Sequence, residues 1–357
     1  MLLLLLLPVA LGGPVFSSVG EELTLGMGGN WARLHPSEQG WWFFQSAGRD
    51  YWAAALDPEL GGYDDQARIQ LTARGDLQDI QVERCDDGGW LVAGSHSKDQ
   101  PDDSAYAWTF EADLSARASF TIEEGNGDRP HNDLIPLCAG GWEGVTTQDS
   151  RMSSASTFGR LGGGTVSLDM EAMGGSLAVR ASDGCLIGVD VQGPQSATLR
   201  ITEFEEDGGV LERHSVPVPE GEAFWPQRLL PLEDGWVLSY LAREGSSEGG
   251  TEGEVWLVAL DADFAVRDSL RVSPEGTQNG RPWVSRREGV LAVSYDREVQ
   301  PRAVLVSLDP AEVPEDDGIV DPAEEDGGGE GKGCAATGGP AGLVWLLALG
   351  LLRRQRS

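Results

Sequence analysis

The sequence predicts an all-β protein, a β-propeller of about six four-stranded blades, followed by a disordered acidic linker and a short apolar C-terminal helix. Three observations predict it: a glycine turn that returns about every fifty residues, a strand ending in Asp that returns at a later phase, and an abrupt loss of apolar residues after Pro310. At 357 residues the chain is long enough for one large domain or two ordinary ones, so length alone decides little.

The first element is the apolar run Leu2 to Leu11, followed by small residues with Ala10 and Gly12 in a small-x-small arrangement. Residues 1–18 are therefore predicted to be a signal peptide, too short to cross a membrane as a lone helix. Export machinery is the first partner this implies.

Residues 25–310 hold the repeat. Gly40, Gly88, Gly140, Gly184, Gly235 and Gly289 mark turns at spacings of 48, 52, 44, 51 and 54, each followed by a short apolar strand beginning near Trp90, Trp142, Trp236 or Val290 in the clearest cases. Glycine supplies a positive φ at the bend, and the alternation that follows it is a strand signal. At a later phase come Trp52 to Asp57, Trp108 to Asp113, Trp256 to Asp261 and Val304 to Asp309, each a strand closed by Asp and followed by a further short strand. One period thus reads as four antiparallel strands, a blade, and radial repetition of blades protects sheet edges. Six turns predict six blades; seven are allowed by the poor marking of the first and third units. Trp52, Trp108 and Trp256 are expected to pack between blades. Two β-sandwiches are the alternative fold, which needs no fifty-residue period.

Residues 311–333 carry nine carboxylates, one lysine and almost nothing apolar. Such a segment cannot bury enough surface to offset its ordering entropy, so an extended, self-repelling linker is expected. In residues 334–357 the apolar run Ala341 to Leu352 spans only about 18 Å as a helix, against a hydrocarbon core of about 30 Å. Counted from Ala335 it reaches about 27 Å, and Arg353, Arg354 and Arg356 follow at once. Gly333-Cys334, the short apolar run and Arg353-Arg354 together resemble the myxobacterial C-terminal sorting tail known as MYXO-CTERM, over about 25 residues. The resemblance implies removal of the tail near Gly333-Cys334 by an intramembrane protease, with Cys334 as the recognition or modification point and the domain displayed at the cell surface. The alternative is a permanent C-terminal anchor.

Charge narrows the partners. With 58 Asp and Glu against 26 Lys and Arg, a formal net charge of −32 would repel nucleic acid and anionic lipid, so no nucleic-acid role is expected and the membrane is approached only through the tail. The cysteines Cys85, Cys138, Cys185 and Cys334 show no C-x-x-C pair and no histidines at metal-ligand spacing, which argues against zinc and leaves disulfide pairing open. No cofactor is expected; calcium through Asp261 and Asp263, or Asp86 and Asp87, lacks the full loop motif, and Asp at a hairpin turn is the simpler account.

No two of His35, His96, His131 and His214 stand at a spacing that implies a nucleophile and base, and neither a G-x-S-x-G elbow nor a P-loop is present. Candidate ligand residues come instead from three proline-bearing segments entering inner strands: "NGDRPHND" with Arg129 and His131, "EAFWPQR" with Trp225, and "NGRPW" with Arg281 and Trp283. Arginines at a propeller mouth resemble the carboxylate-gripping cluster of sialidases, but the S-x-D-x-G-x-T-W turn of sialidase blades does not occur in this chain. The expected function is therefore that of an exported, surface-displayed, non-enzymatic propeller that binds a protein or glycan partner. The alternative is a secreted hydrolase or lyase acting on glycans through carboxylates at the channel mouth.

Overall fold

Short apolar strands with one residue in two turned to each face can bury both faces only by stacking sheet on sheet, and a ring of blades does this without free ends. A computed structural model describes residues 15–309, apart from 27–29, 48–49, 65, 73–76, 97–103, 124–130, 150–155, 171–174, 192–197, 219–221 and 244–252. After β1 (Phe16–Val19) and β2 (Leu23–Thr24), blade I is β3 (Asn30–Ser37), β4 (Gly40–Ala47), β5 (Asp50–Leu56) and β6 (Ile69–Thr72). Blade II is β7 (Leu77–Arg84), β8 (Trp90–His96), β9 (Ala105–Phe110) and β10 (Ala116–Glu123); blade III is β11 (His131–Ala139), β12 (Trp142–Asp149), β13 (Ser156–Arg160) and β14 (Thr165–Leu168). Blade IV is β15 (Ser176–Val179), β16 (Leu186–Val191), β17 (Thr198–Phe204) and β18 (Val210–Pro217); blade V is β19 (Glu222–Leu232), β20 (Gly235–Arg243), β21 (Glu254–Asp261) and β22 (Val266–Arg271). Blade VI is β23 (Gly280–Arg287), β24 (Val290–Arg297) and β25 (Gln300–Leu308), with β1 and β2 as its outer edge.

The blade number is thus six, and all six glycine markers fall at the turn between the first and second strand of a blade. That turn lies on one face of the ring, the floor; the first strands begin at the opposite face, the mouth. No helix occurs among the described residues, and the linker 311–333 and the tail 334–357 lie outside them.

The ring starts earlier than the sequence implied. β1 pairs antiparallel with β25, Val19 opposite Val306, and Val15 and Phe16 are buried in the core between blades V and VI. Their backbone N–H groups both donate to Asp268 Oδ2, at 2.8 and 3.1 Å. The propeller therefore already includes residues 15–24, ahead of the expected start at 25, and the last residues of the 1–18 segment belong to the sheet. Since Asp309 N donates to Val15 O, the first and last described residues stand side by side at the floor of blade VI.

The outer hairpins of blades I to V share one five-residue turn, starting at Asp57, Glu111, Arg160, Glu205 and Asp261, in which the first N–H donates to the fifth carbonyl. The fourth residue has a left-handed φ: Leu60 (65°), Leu114 (67°), Gly163 (91°), Gly208 (87°) and Phe264 (62°). For Leu and Phe this costs about 1–2 kcal/mol, which burial of the same side chain, at about 1.5–3 kcal/mol, offsets. Leu60 packs in the cluster of Trp41, Leu114 in that of Trp90 and Phe264 in that of Trp236. Of the tryptophans expected between blades, Trp108 and Trp256 pack half-buried against the clusters of blades I–II and IV–V, and Trp52 lies under the Arg68 guanidinium at 4.2 Å. At the floor, Cys85 and Cys138 form a disulfide that ties blade II to blade III.

Candidate ligand site at the channel mouth

Five of the six first strands carry a β-bulge at one level. Three or four residues face two on the neighbouring strand between Asn30 and Arg33, Gln78 and Gln81, Asn132 and Ile135, Phe224 and Arg228, and Gly280 and Trp283; the described residues of β15 begin at this level, with Ser176. A bulge bends its strand and re-aims a side chain. By register, Arg33, Gln81, Ile135, Ser176, Arg228 and Trp283 share this level around the channel, and His35 and Glu83 lie two residues deeper on the same strand faces.

Side chains meet here from blades far apart in sequence. Arg33, fully buried, donates Nε and Nη2 to Gln81 Oε1 at 3.1 and 3.0 Å, and Nη1 to the carbonyls of Ala32 and Arg281 at 3.0 and 3.2 Å. Arg228 holds Glu83 in a two-pronged ion pair, Nη1 to Oε2 and Nη2 to Oε1, the latter at 2.7 Å. Blades V and II are opposite in a six-blade ring, so this pair crosses the channel. The guanidinium carbons of Arg33 and Arg228 lie 4.6 and 4.5 Å from the Trp283 ring, a cation–π arrangement. Above them Arg281, in the bulge of β23 with a φ of 52°, points its guanidinium to Asp296 at 3.4 Å. A left-handed arginine is strained and persists where its surroundings fix it. Serines do part of that fixing across blade boundaries: Ser239 Oγ donates to the Pro282 carbonyl at 3.3 Å and Ser294 Oγ to the Ala32 carbonyl at 3.0 Å.

The electrostatics follow from this crowding. Burial lowers the Arg33 guanidinium to about 10, and burial together with Arg33 lowers Arg228. His35, edge-on to Phe44 and Trp90 at 5.7 and 5.5 Å, is held well below its ordinary value by burial first and then by Arg228, Arg33 and Arg84. Buried polar atoms without a hydrogen-bond partner among the described residues include Arg228 Nε, Trp283 Nε1 and Thr146 Oγ1 at this level and His35 Nε2 two residues deeper.

The depressed His35 value has a signed consequence. Below about pH 6.5 the unfolded chain takes up a proton that the folded one refuses, so the contribution of His35 is full above that pH and is lost as pH falls toward the folded value. The slope is about 1.4 kcal/mol per pH unit. Between pH 6.5 and 5.5, where the titration is still approaching that limiting slope, His35→Gln is expected to lose about 1 kcal/mol less stability than the parent protein. Urea melts at both pH values measure this, and equal slopes would refute it.

Of the residues singled out in sequence, Arg281 and Trp283 come together at this site. His131 opens β11 opposite Asp149 and Trp225 sits in the bulge of β19, so both backbones reach the mouth; their side chains, and Arg129 entirely, lie outside the described residues. Gly333, Cys334, Arg353 and Arg354 also lie outside them. Three of the four carboxylates considered for calcium accept backbone N–H groups: Asp261 Oδ1 from Asp263 and Ala265, Asp87 Oδ1 from Gly89, and Asp86 Oδ2 from Gly140 of the next blade. Glu203, Glu212 and His214 do cluster on blade IV, where Glu203 is held by His214 at 3.1 Å and Arg180 at 2.8 Å. Sequence reading missed Arg33, Glu83 and Arg228 as a group, although Arg228 ends the quoted "EAFWPQR".

Fold and site define a six-bladed β-propeller with an arginine-lined channel. No family model and no curated protein matches the chain. Among solved structures, a member of the duf4221 family from Bacteroides vulgatus is similar with a TM-score of 0.50 and 10% identity, over 83% of this chain and 97% of that one. The hemagglutinin-neuraminidase of Parainfluenza Virus 5 with ligand DANA has a TM-score of 0.49 at 8% identity, covering 82% and 94% of the two chains. A subtype N10 neuraminidase-like protein of a little yellow-shouldered bat virus has 0.47 at 11% identity, covering 82% and 99%. At these identities the shared property is the fold.

Proposed function

We propose that the protein is an exported, surface-displayed binding propeller that takes a carboxylate-bearing glycan at its channel mouth without covalent chemistry. One observation carries the reading: Arg228 Nε–H and Trp283 Nε1–H, from adjacent blades, are buried donors without an acceptor. A buried unsatisfied donor costs about 1–3 kcal/mol, and a carboxylate supplies acceptors to several donors at once. Arg281 stands above them at the rim, where it meets an arriving anion first. Against the −32 of the whole chain, the described channel side chains carry a local positive excess, Arg33, Arg228 and Arg281 against Glu83 and Asp296. Binding is favoured over hydrolysis because both described channel carboxylates, Glu83 and Asp296, are already clasped by guanidiniums, whereas glycoside hydrolysis asks for one carboxyl kept as an acid.

A glycan array with the purified protein tests it. Uronic- and sialic-acid-bearing glycans are expected to bind, more weakly as salt rises, and neutral parents of the same glycans to bind at least tenfold less at this site. Arg281→Gln is expected to weaken the acidic ligand about 10- to 100-fold in calorimetry, the range of one charge-assisted hydrogen bond. Release of free sugar from a bound glycan, or preference for acidic peptides over acidic glycans, would overturn the reading.

A further inference from the structure

Blade III departs from the others at the floor. In blades I, II, IV and V the third strand runs four residues from the bulge level to its turn, Ala53 to Asp57, Ala107 to Glu111, Ile201 to Glu205 and Leu257 to Asp261. In blade III it runs two, Phe158 to Arg160, so the outer hairpin stops about 7 Å short at 3.4 Å per residue. The missing length changes what the inner hairpin can carry. Counted from the bulge level, Trp142 occupies the position of Gly40, Gly89 and Gly235. A Cβ on Gly40 or Gly235 would collide with the carbonyl oxygen of Leu56 or Leu260 on the full-length outer strand. With that strand recessed, a tryptophan fits.

Trp142 is thus one residue out of step with Trp41, Trp90 and Trp236, and one step turns a side chain to the other sheet face. It lies between blades III and IV, beside Phe158 and Phe204. There it lines an open notch of about 200 Å³ with Gly140, Gly141, Arg160, Asp183, Gly184, Phe204 and Glu206. Trp41 Nε1–H and Trp90 Nε1–H donate to turn carbonyls, Pro58 at 3.1 Å and Ala112 at 3.3 Å. Trp142, though more than nine-tenths buried, makes no such bond among the described residues; its described partners are the Phe158 ring and the Arg160 guanidinium, 4.5 Å from the indole centroid.

The geometry points to this notch as a second binding site, for a neutral sugar residue. Its apolar part is the indole with Phe204 beneath. Its donors are the indole N–H and Arg160, whose Nη2 reaches the Glu206 carbonyl at 3.5 Å; its acceptors are the Glu206 carboxylate and the remaining lone pairs of Asp183, which also accepts from Arg180 at 3.3 Å and the Cys185 N–H at 3.0 Å. A hydroxyl needs both kinds of partner, since it donates once and accepts twice. An anion would meet two carboxylates and a cation would meet Arg160, so a neutral polyhydroxylated ring is the ligand that offends neither. Pockets that hold small molecules share this composition, an apolar floor with a few placed polar groups. The site stands on the face opposite the mouth and does not depend on the reading given for the channel.

Calorimetry and saturation-transfer NMR on the full-length mature protein test it, with methyl glycosides of glucose, galactose, mannose and N-acetylglucosamine and their disaccharides as probes. At least one neutral probe is expected to bind. Glu206→Gln and Arg160→Met, which leave the thermal midpoint in place, are each expected to weaken it at least fivefold, while Arg281→Gln leaves it unchanged. Absence of binding by every neutral probe at millimolar concentration overturns the assignment. So does binding that Glu206→Gln and Arg160→Met leave intact, or a notch that selects charged over neutral sugars.

Discussion

A chain beginning at residue 21 is expected to lose about 3–6 kcal/mol relative to one beginning at residue 15, because Val15 and Phe16 each contribute roughly 1.5–3 kcal/mol by burial. The deletion also strips β25 of β1 and leaves Asp268 Oδ2 without its two backbone donors. Against a typical stability of about 5–15 kcal/mol, the loss is large enough to open the ring. An exposed β25 is also a template for pairing with other chains, so size-exclusion chromatography should show association along with the lowered thermal midpoint. Removal of residues 1–14 alone should change neither. The same logic bears on export: intact-mass measurement of the surface protein is expected to find an N-terminus at or before Val15, near the Ala10 and Gly12 positions, and a C-terminus lacking Arg353-Arg354. A mature chain that starts after Ser18 and still melts normally would contradict the closure described for blade VI.

Glu83→Gln is expected to cost about 3–5 kcal/mol, the range for breaking a buried pair by removing one charge. The side chains of Arg228 and Glu83 are only 15% and 9% exposed, so water screens the pair little. Removal of the negative charge leaves Arg228 beside Arg33 in the channel, with a neutral amide oxygen and the Trp283 ring in place of the ion pair. Replacing both partners, Glu83→Gln with Arg228→Met, is expected to recover most of the loss, since an apolar side chain has no charge to bury. Denaturant melts of the three variants form a double-mutant cycle that reads the coupling directly. A loss below 1 kcal/mol for Glu83→Gln would mean that the two blades are not joined across the channel.

The blade repeat was legible in sequence for a steric reason. At Gly40, Gly89 and Gly235 a side chain would collide with a carbonyl oxygen of the outer strand, and Gly88, Gly140 and Gly184 take a left-handed φ at the inner turn, so glycine marks that turn about every fifty residues. The strand starts at Trp90 and Trp142 were both legible, whereas their relative register was not. "GGWEG" around Trp142 looks like "GGWLV" around Trp90, yet the first is one residue out of register because β13 is two residues short, and strand length next to a variable loop leaves no mark in composition. Arg281 and Trp283 could be found because proline beside a strand start signals a bulge. The Glu83–Arg228 pair could not, since its members are 145 residues apart and meet only when six blades close. β1 was lost for a different reason. Four residues, Phe16–Val19, after an apolar leader read as the end of a signal peptide, and nothing local says that the last blade lacks its outer strand.

Val15 and Asp309 are hydrogen-bonded neighbours at one rim of the floor. A tether attached at either end therefore grips the disc at a single point of its underside, and the two faces acquire different audiences. Held in that way, the protein would turn its arginine rim outward, where free or shed molecules arrive by diffusion. The notch of blades III and IV would then face whatever the tether is fixed to, and a sugar held there would set the tilt of the disc upon it.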